Sequence, residues 1–343
     1  MKKKIVTIQD IITDFNSSIF VIAEIGINHE GSLERCISLI DDAVEAGADA
    51  VKLQTINPDL NYCKGSESYK IFKSAELSKK NTIRIFKYCK KKKIKIFSTI
   101  GDLETLEWIK IQEPFAYKIS SGLLNNIPFI EEVFKLNKPV FLSTGLANRN
   151  DLNSLDFLIK KYKKTNISIL HCVSIYPTPT KYLDLNSISL LKKKFSCPIG
   201  YSDHSIDKNI PIFAVMAGAK VIEKHFTFDN QRVGFDHKLS FNKYQFKSMV
   251  KKIRKYEKSL SSNDLIKLKE RQRLIFSRCI VAKKKIKKNE ILTDQNIIIK
   301  RPNNFQDRGA EPFQFNSFIG KKINKDICKD DPIRERDIYE KKN

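Results

Sequence analysis

The chain has 343 residues, 41% hydrophobic and 10% aromatic, with a formal charge of +24. This is a globular composition, and the length exceeds one ordinary core, so a large domain with a smaller companion is expected. The longest apolar stretch, 211–219, is far shorter than the roughly 20 residues of a membrane helix, and polar residues interrupt IVTIQDIITDFN before it can form a signal core.

These features predict a cytoplasmic protein with no membrane partner. From residue 19 to about 225, short apolar runs alternate with amphipathic segments of helical period. The runs are FVIAEI (20–25), DAVKLQ (49–54), IKIFST (94–99), AYKIS (116–120), PVFLST (139–144), ISILHC (167–172), CPIGYS (197–202) and AKVIEKH (219–225). Eight strands with intervening helices predict an α/β fold, a closed (β/α)8 TIM barrel. A helix over 33–46 would stop at Gly47. We assign 1–260 to the barrel, 261–276 to a charged linker, and 277–343 to a small, mainly β domain whose short β-branched runs alternate with turn residues. Seven cysteines, odd in number and without a CxxC pair, read as reduced thiols. Lysine runs at 90–93, 192–194 and 283–285 are dispersed and lack interleaved aromatics, so they predict solvated faces and no nucleic-acid partner.

In such a barrel, catalytic groups sit at the C-terminal ends of the strands, and this chain has polar residues at every one. All five histidines (29, 171, 204, 225 and 237) fall at or just beyond these ends. His204 and His225 follow adjacent strands, so their imidazoles could converge on one divalent cation, with Mn²⁺ foremost and Mg²⁺ or Co²⁺ as alternatives. Histidines that only hydrogen-bond backbone at the barrel mouth remain the competing reading. Lys52 and Lys118 lie inside otherwise apolar runs, near the hydroxyl-bearing strand ends of Ser98, Thr99, Ser143 and Thr144. That combination suits a small phosphorylated anion, although a Schiff-base lysine or one that snorkels past the rim uses the same pattern.

At these residues the chain resembles the sialic acid synthase family. The matching segments are AEIGINHEGSLE (23–34), AGADAVKLQT (46–55), FSTIGD (97–102), YKISSG (117–122), LSTG (142–145), HCVSIYPTP (171–179), GYSDHS (200–205) and GAKVIEKHFT (218–227). The likeness continues through IKKNEILTDQNIIIKRP (286–302) and GKKINKDI (320–327). It implies a barrel followed by an antifreeze-like (SAF) domain, in a domain-swapped homodimer. The implied reaction condenses phosphoenolpyruvate with an N-acetylated amino-sugar aldehyde, giving a nine-carbon 2-keto acid and phosphate. By position, His204 and His225 match metal ligands. Lys52, Thr99, Lys118, Ser121, Ser143 and Ser202 match residues that hold phosphoenolpyruvate, with Ser174 standing where some members have asparagine. Glu24, Gln54, Tyr176 and Asp236 match residues near the sugar or the reacting atoms, with Glu24 placed to orient or deprotonate the attacking water. Arg301 matches an arginine that reaches across the dimer. The resemblance disfavours the Schiff base.

One departure bears on the acceptor. Many members carry an acidic residue that contacts the sugar where this chain has Leu123. Leucine cannot accept a hydroxyl hydrogen bond, so a different aldehyde sugar, or a barrel that binds without turnover, stands as the alternative.

Overall fold

The computed structural model describes residues 19–163, 165–260, 263–302 and 308–339. The chain divides into two compact units, Met1–Leu260 and Ser261–Asn343.

In the first unit, eight parallel strands close into a barrel in sequence order. They are β1 (Phe20–Gly26), β2 (Ala50–Thr55), β3 (Ile96–Ile100), β4 (Tyr117–Ile119), β5 (Val140–Ser143), β6 (Ile167–Cys172), β7 (Ile199–Asp203) and β8 (Val221–His225). A helix follows each: α1 (Leu33–Glu45), α2 (Lys79–Lys92), α3 (Leu103–Lys110), α4 (Ile127–Lys135), α5 (Arg149–Lys161), α6 (Asn186–Lys194), α7 (Ile210–Met216) and α8 (Lys243–Tyr256). The predicted runs and the strands coincide to within a residue or two at their ends, so the (β/α)8 expectation holds.

The helices form for local reasons that also aim their apolar stripes. In α1, Ser32 caps the Arg35 N–H, and Leu33, Cys36, Leu39, Ile40 and Ala43 recur at helical spacing and are buried. Gly47 then turns the chain at φ +97, a conformation that penalises any Cβ.

Strand alternation sorts side chains into two cores. Residues pointing outward, such as Val21, Ala23, Val51, Leu53, Tyr201 and Ile222, join the layer beneath the helices. Those pointing inward at the lower end of the barrel, Phe20, Ile22, Phe97, Phe141, Leu170 and Val221, form a separate apolar plug. Above that plug the inward positions become polar. Gly200 shows how tight the packing is: a Cβ there would lie 2.4 Å from Leu170 Cδ2 and 2.7 Å from Val221 O.

Within the second unit, α9 (Asn263–Phe276) occupies the segment expected as a charged linker at 261–276. LIKLKERQRLIF consists largely of strong helix formers, and the charge that suggested a linker suits a solvated helix equally well. Strands β9 (Cys279–Ala282) and β10 (Ile297–Lys300) then pair antiparallel over a core that includes Ile280, Leu292, Phe318 and Ile333. Isolated bridges such as Ile286 with Ile327 complete a small β fold. The cysteines are free thiols, and no helix of the described residues is long and apolar enough to cross a membrane.

Candidate active site

The polar layer above the plug opens into a cavity of about 530 Å³ at the C-terminal ends of the strands. Its floor is built by the same alternation. Lys52 and Gln54 on β2, Thr99 on β3, Lys118 on β4, Ser143 on β5, Ser202 on β7, and Glu223 and His225 on β8 all face inward. Ser121, Ser174, Tyr176, His204 and Asp236 join them from the strand-to-helix loops. Toward the opening the lining mixes the apolar Ile27, Ile56, Ile71, Phe72, Leu146 and Phe235 with Tyr62, Ser68 and Ser120.

Three charged groups, Lys52, Lys118 and Glu223, share the floor and a fourth, Glu24, lies behind Lys52, all nearly excluded from solvent. Lys52 Nζ is ion-paired with Glu24 Oε2, lies 3.4 Å from Glu223 Oε2 and donates to Thr99 Oγ1 at 3.2 Å. Lys118 Nζ lies 3.4 Å from Glu223 Oε1 and donates to Ser143 Oγ at 2.7 Å. Ser202 Oγ donates to Glu223 Oε1 at 2.8 Å. Burial pushes Glu223 up, but Lys118 and Lys52 more than offset it and hold the carboxyl down at about 2. Burial dominates at Glu24, outweighing Lys52, and lifts it to about 7. Burial also opposes the charge on Lys52, yet the two carboxylates keep its ammonium above the usual lysine value. Lys118, where burial wins, is lowered. The floor is thus one anionic carboxylate bridging two ammonium groups, with hydroxyls beside them and a second carboxyl poised to hold a proton. Such a set can receive a phosphorylated anion. Lys52, locked in its ion pairs, does not snorkel.

His204 and His225 face each other with ring centroids 5.5 Å apart. His204 Nδ1 lies 2.8 Å from Val173 O, which can only accept, so the ring's lone pair is on Nε2. Burial lowers His204 to about 4 and, together with the neighbouring His204, keeps His225 neutral. His225 Nδ1 is buried without a hydrogen-bond partner, 3.4 Å from Asp236 Oδ2. Two neutral imidazoles, one of them with an orphaned nitrogen, fit a divalent cation. Among the described residues no three His, Cys, Asp or Glu side chains are gathered as a ligand set.

The other histidines divide differently from their shared position at strand ends. His171 points outward, its Nε2 2.9 Å from Leu183 O. His237 lies between Thr227 Oγ1 and Glu30 Oε1, and His29 Nδ1 accepts from Gly31 N–H. These three brace loops. Glu24 is fully buried behind its ion-pair partner Lys52 and is not among the side chains that line the cavity. Leu123 is part-buried against the outer apolar core. Arg301 belongs to the second unit, where its guanidinium stacks on Phe276 at 5.1 Å. Glu223, the centre of the charge cluster, is not singled out by the sequence reading. Its spacing two residues before His225 places both on one face and would have revealed it.

Residues 39–264 match the NeuB family and 277–338 the SAF domain. The chain is 36% identical to the pseudaminic acid synthase of Campylobacter jejuni over 95% of this chain and 99% of that one. It is 35% identical to the N,N'-diacetyllegionaminic acid synthase of the same species over 92% and 98%. Among solved structures, an N-acetylneuraminic acid (sialic acid) synthetase from Leptospira borgpetersenii aligns with a TM-score of 0.70 and 32% identity, covering 75% of this chain and 92% of that one. The likeness spans barrel and C-terminal unit in one order, and the chain belongs to the NeuB family of sialic-acid-synthase-type enzymes.

Proposed function

We propose that the chain condenses phosphoenolpyruvate with the open-chain aldehyde of an N-acylated amino sugar, yielding a nine-carbon 2-keto acid and inorganic phosphate. The observation that carries this reading is the floor, where Lys52 and Lys118 flank Glu223 beside a pair of neutral histidines. Phosphate and carboxylate of phosphoenolpyruvate neutralise the two ammonium groups, while Thr99, Ser143 and Ser202 fix their orientation. A divalent cation on His204 and His225 would supply Lewis-acid polarisation of the aldehyde oxygen. The methylene carbon of phosphoenolpyruvate bonds to the aldehyde carbon, water adds at the former enol carbon, and phosphate leaves from that carbon with its bridging oxygen. Asp236, raised by burial to about 6, faces the cavity and can give a proton to the aldehyde oxygen as it takes up the carbonyl electron pair and becomes the new hydroxyl. Glu24 is a positioning residue that holds Lys52. The apolar side chains at the mouth favour an acceptor rich in methyl and acyl groups over one rich in hydroxyls. On the strength of the family resemblance, the proposed assembly is a dimer in which Arg301 of one chain reaches the site of its partner, and the reaction is proposed to take place in the cytoplasm.

Incubation with phosphoenolpyruvate, Mn²⁺ and a panel of acylamino sugars should release phosphate and form a 2-keto acid in equal amounts. Absence of both across the panel, with folding and metal loading verified, refutes the proposal.

A further inference from the structure

In a parallel barrel every helix runs back from the mouth, so all helix C-termini and helix-to-strand loops gather at the opposite rim. That topology assembles lysines which are scattered in sequence. Helix α2 ends in three lysines followed by Lys93, and α6 ends in the lysines at 192–194. Helix α5 ends in Lys160 and Lys161, with Lys163 just beyond, and α8 carries Lys251, Lys252 and Lys255 toward its end. All of these are exposed. The few acids at this rim are engaged: Glu113 with Lys90, Glu131 with Lys161, and Asp49 with Arg254. Among the described residues, no ion pair engages Lys92, Lys163 or Lys193.

Two ordinary explanations fall short. One cation in the last turn complements a helix dipole, whereas α2 and α6 carry three each. A lysine-rich composition would also load the mouth, yet its loops balance Lys64, Lys181 and Lys208 against Asp59, Asp184 and Asp207.

We propose that the rim of the barrel opposite the mouth is a docking face for an anionic lipid surface. Its cations are lysines apart from Arg254, and lysine is a hydrated point charge suited to diffuse attraction rather than to bidentate phosphate readout. The clusters sit at separate helix ends around a closed ring, which presents charge to a plane and offers a nucleic-acid strand no track to follow. Docked this way, the barrel turns its mouth to the solvent, and substrate entry is unobstructed. The dispersed runs that argued against a nucleic-acid partner in the sequence become one face only after folding.

Co-sedimentation with vesicles of phosphatidylcholine, with and without phosphatidylglycerol, tests this. The full chain should bind the anionic vesicles at low salt and release at high salt. Each lysine near the surface contributes roughly fivefold in partitioning, so the Lys92→Glu/Lys163→Glu/Lys193→Glu variant should bind at least ~100-fold more weakly. The Lys64→Glu/Lys181→Glu/Lys208→Glu variant changes net charge equally at the mouth and should retain binding. All six positions are exposed, and matched thermal unfolding verifies that both variants fold. Equal loss in both variants, salt-insensitive binding to neutral vesicles, or binding of single-stranded RNA without binding of anionic vesicles would each overturn the proposal.

Discussion

Glu223→Gln is the substitution that most directly interrogates the floor of the cavity. The amide keeps the shape and can still accept from Ser202, but it removes the anion lying 3.4 Å from both Lys52 and Lys118. Taking one partner from a fully dry charge cluster costs ~3–5 kcal/mol. Here both ammonium groups border a cavity of about 530 Å³ where water can reach them, so we expect about 2 kcal/mol. For a domain of this size that lowers Tm by roughly 4–8 °C. The informative assay repeats the thermal unfolding across a phosphate titration. In the wild-type protein, phosphate enters beside an existing carboxylate. In the variant it supplies the missing negative charge, so its stabilisation, which grows as RT ln(1 + [L]/Kd), should be larger. A variant that unfolds with the wild type, or gains less than the wild type from phosphate, would show that Glu223 does not balance the lysines and that the anion site lies elsewhere.

Further outcomes follow from neighbouring contacts. Glu24, raised from an ordinary 4.5 to about 7, favours its protonated form in the fold, so its contribution is fully present below about 4.5 and is lost as pH rises through about 7. The stability of Glu24→Gln relative to wild type should therefore climb across that window by a few kcal/mol and then level off, and a flat difference in denaturant unfolding contradicts the assignment. His225→Ala should abolish measurable Mn²⁺ affinity by calorimetry and any phosphate release, whereas a histidine serving structure alone would leave both. Gly200→Ala drives a methyl into Leu170 and the Val221 backbone and should cost about 2–3 kcal/mol in chemical denaturation; a neutral result would mean the barrel relaxes there freely. Lys224→Met leaves Asp203, itself without solvent exposure, unpaired, and should destabilise by ~3–5 kcal/mol, with most of that loss recovered by adding Asp203→Leu.

The barrel was legible because its eight strands are apolar runs bounded by turns, and period and length distinguish them from helices without tertiary knowledge. The phase of each strand was harder. Ser98 and Thr99 are adjacent hydroxyl residues at the end of β3, yet Ser98 points outward to Leu53 O and Thr55 while Thr99 meets Lys52. His171 and His204 both follow apolar runs, and only His204 reaches the mouth. In a parallel barrel both faces of a strand are buried, so the alternation of polar and apolar residues that would reveal the phase on a half-exposed sheet is absent.

The triplet Glu223, Lys224, His225 shows what resolves the phase. Three consecutive buried ionisable residues invite assignment to one site. The pairing of β7 with β8 sets Ser202 opposite Glu223 and Asp203 opposite Lys224, so each of the last two finds its partner on its own face of the sheet. Lys224 closes an ion pair with Asp203 beneath the helices, against the ring of Phe241 at 4.4 Å. Glu223 and His225 face the cavity, where one balances the lysines and the other leaves a nitrogen unbonded. An outward pair satisfied within the protein and an inward pair left partly unsatisfied is the asymmetry that separates framework from chemistry along a single strand, since buried charge persists without a partner only where a ligand completes it.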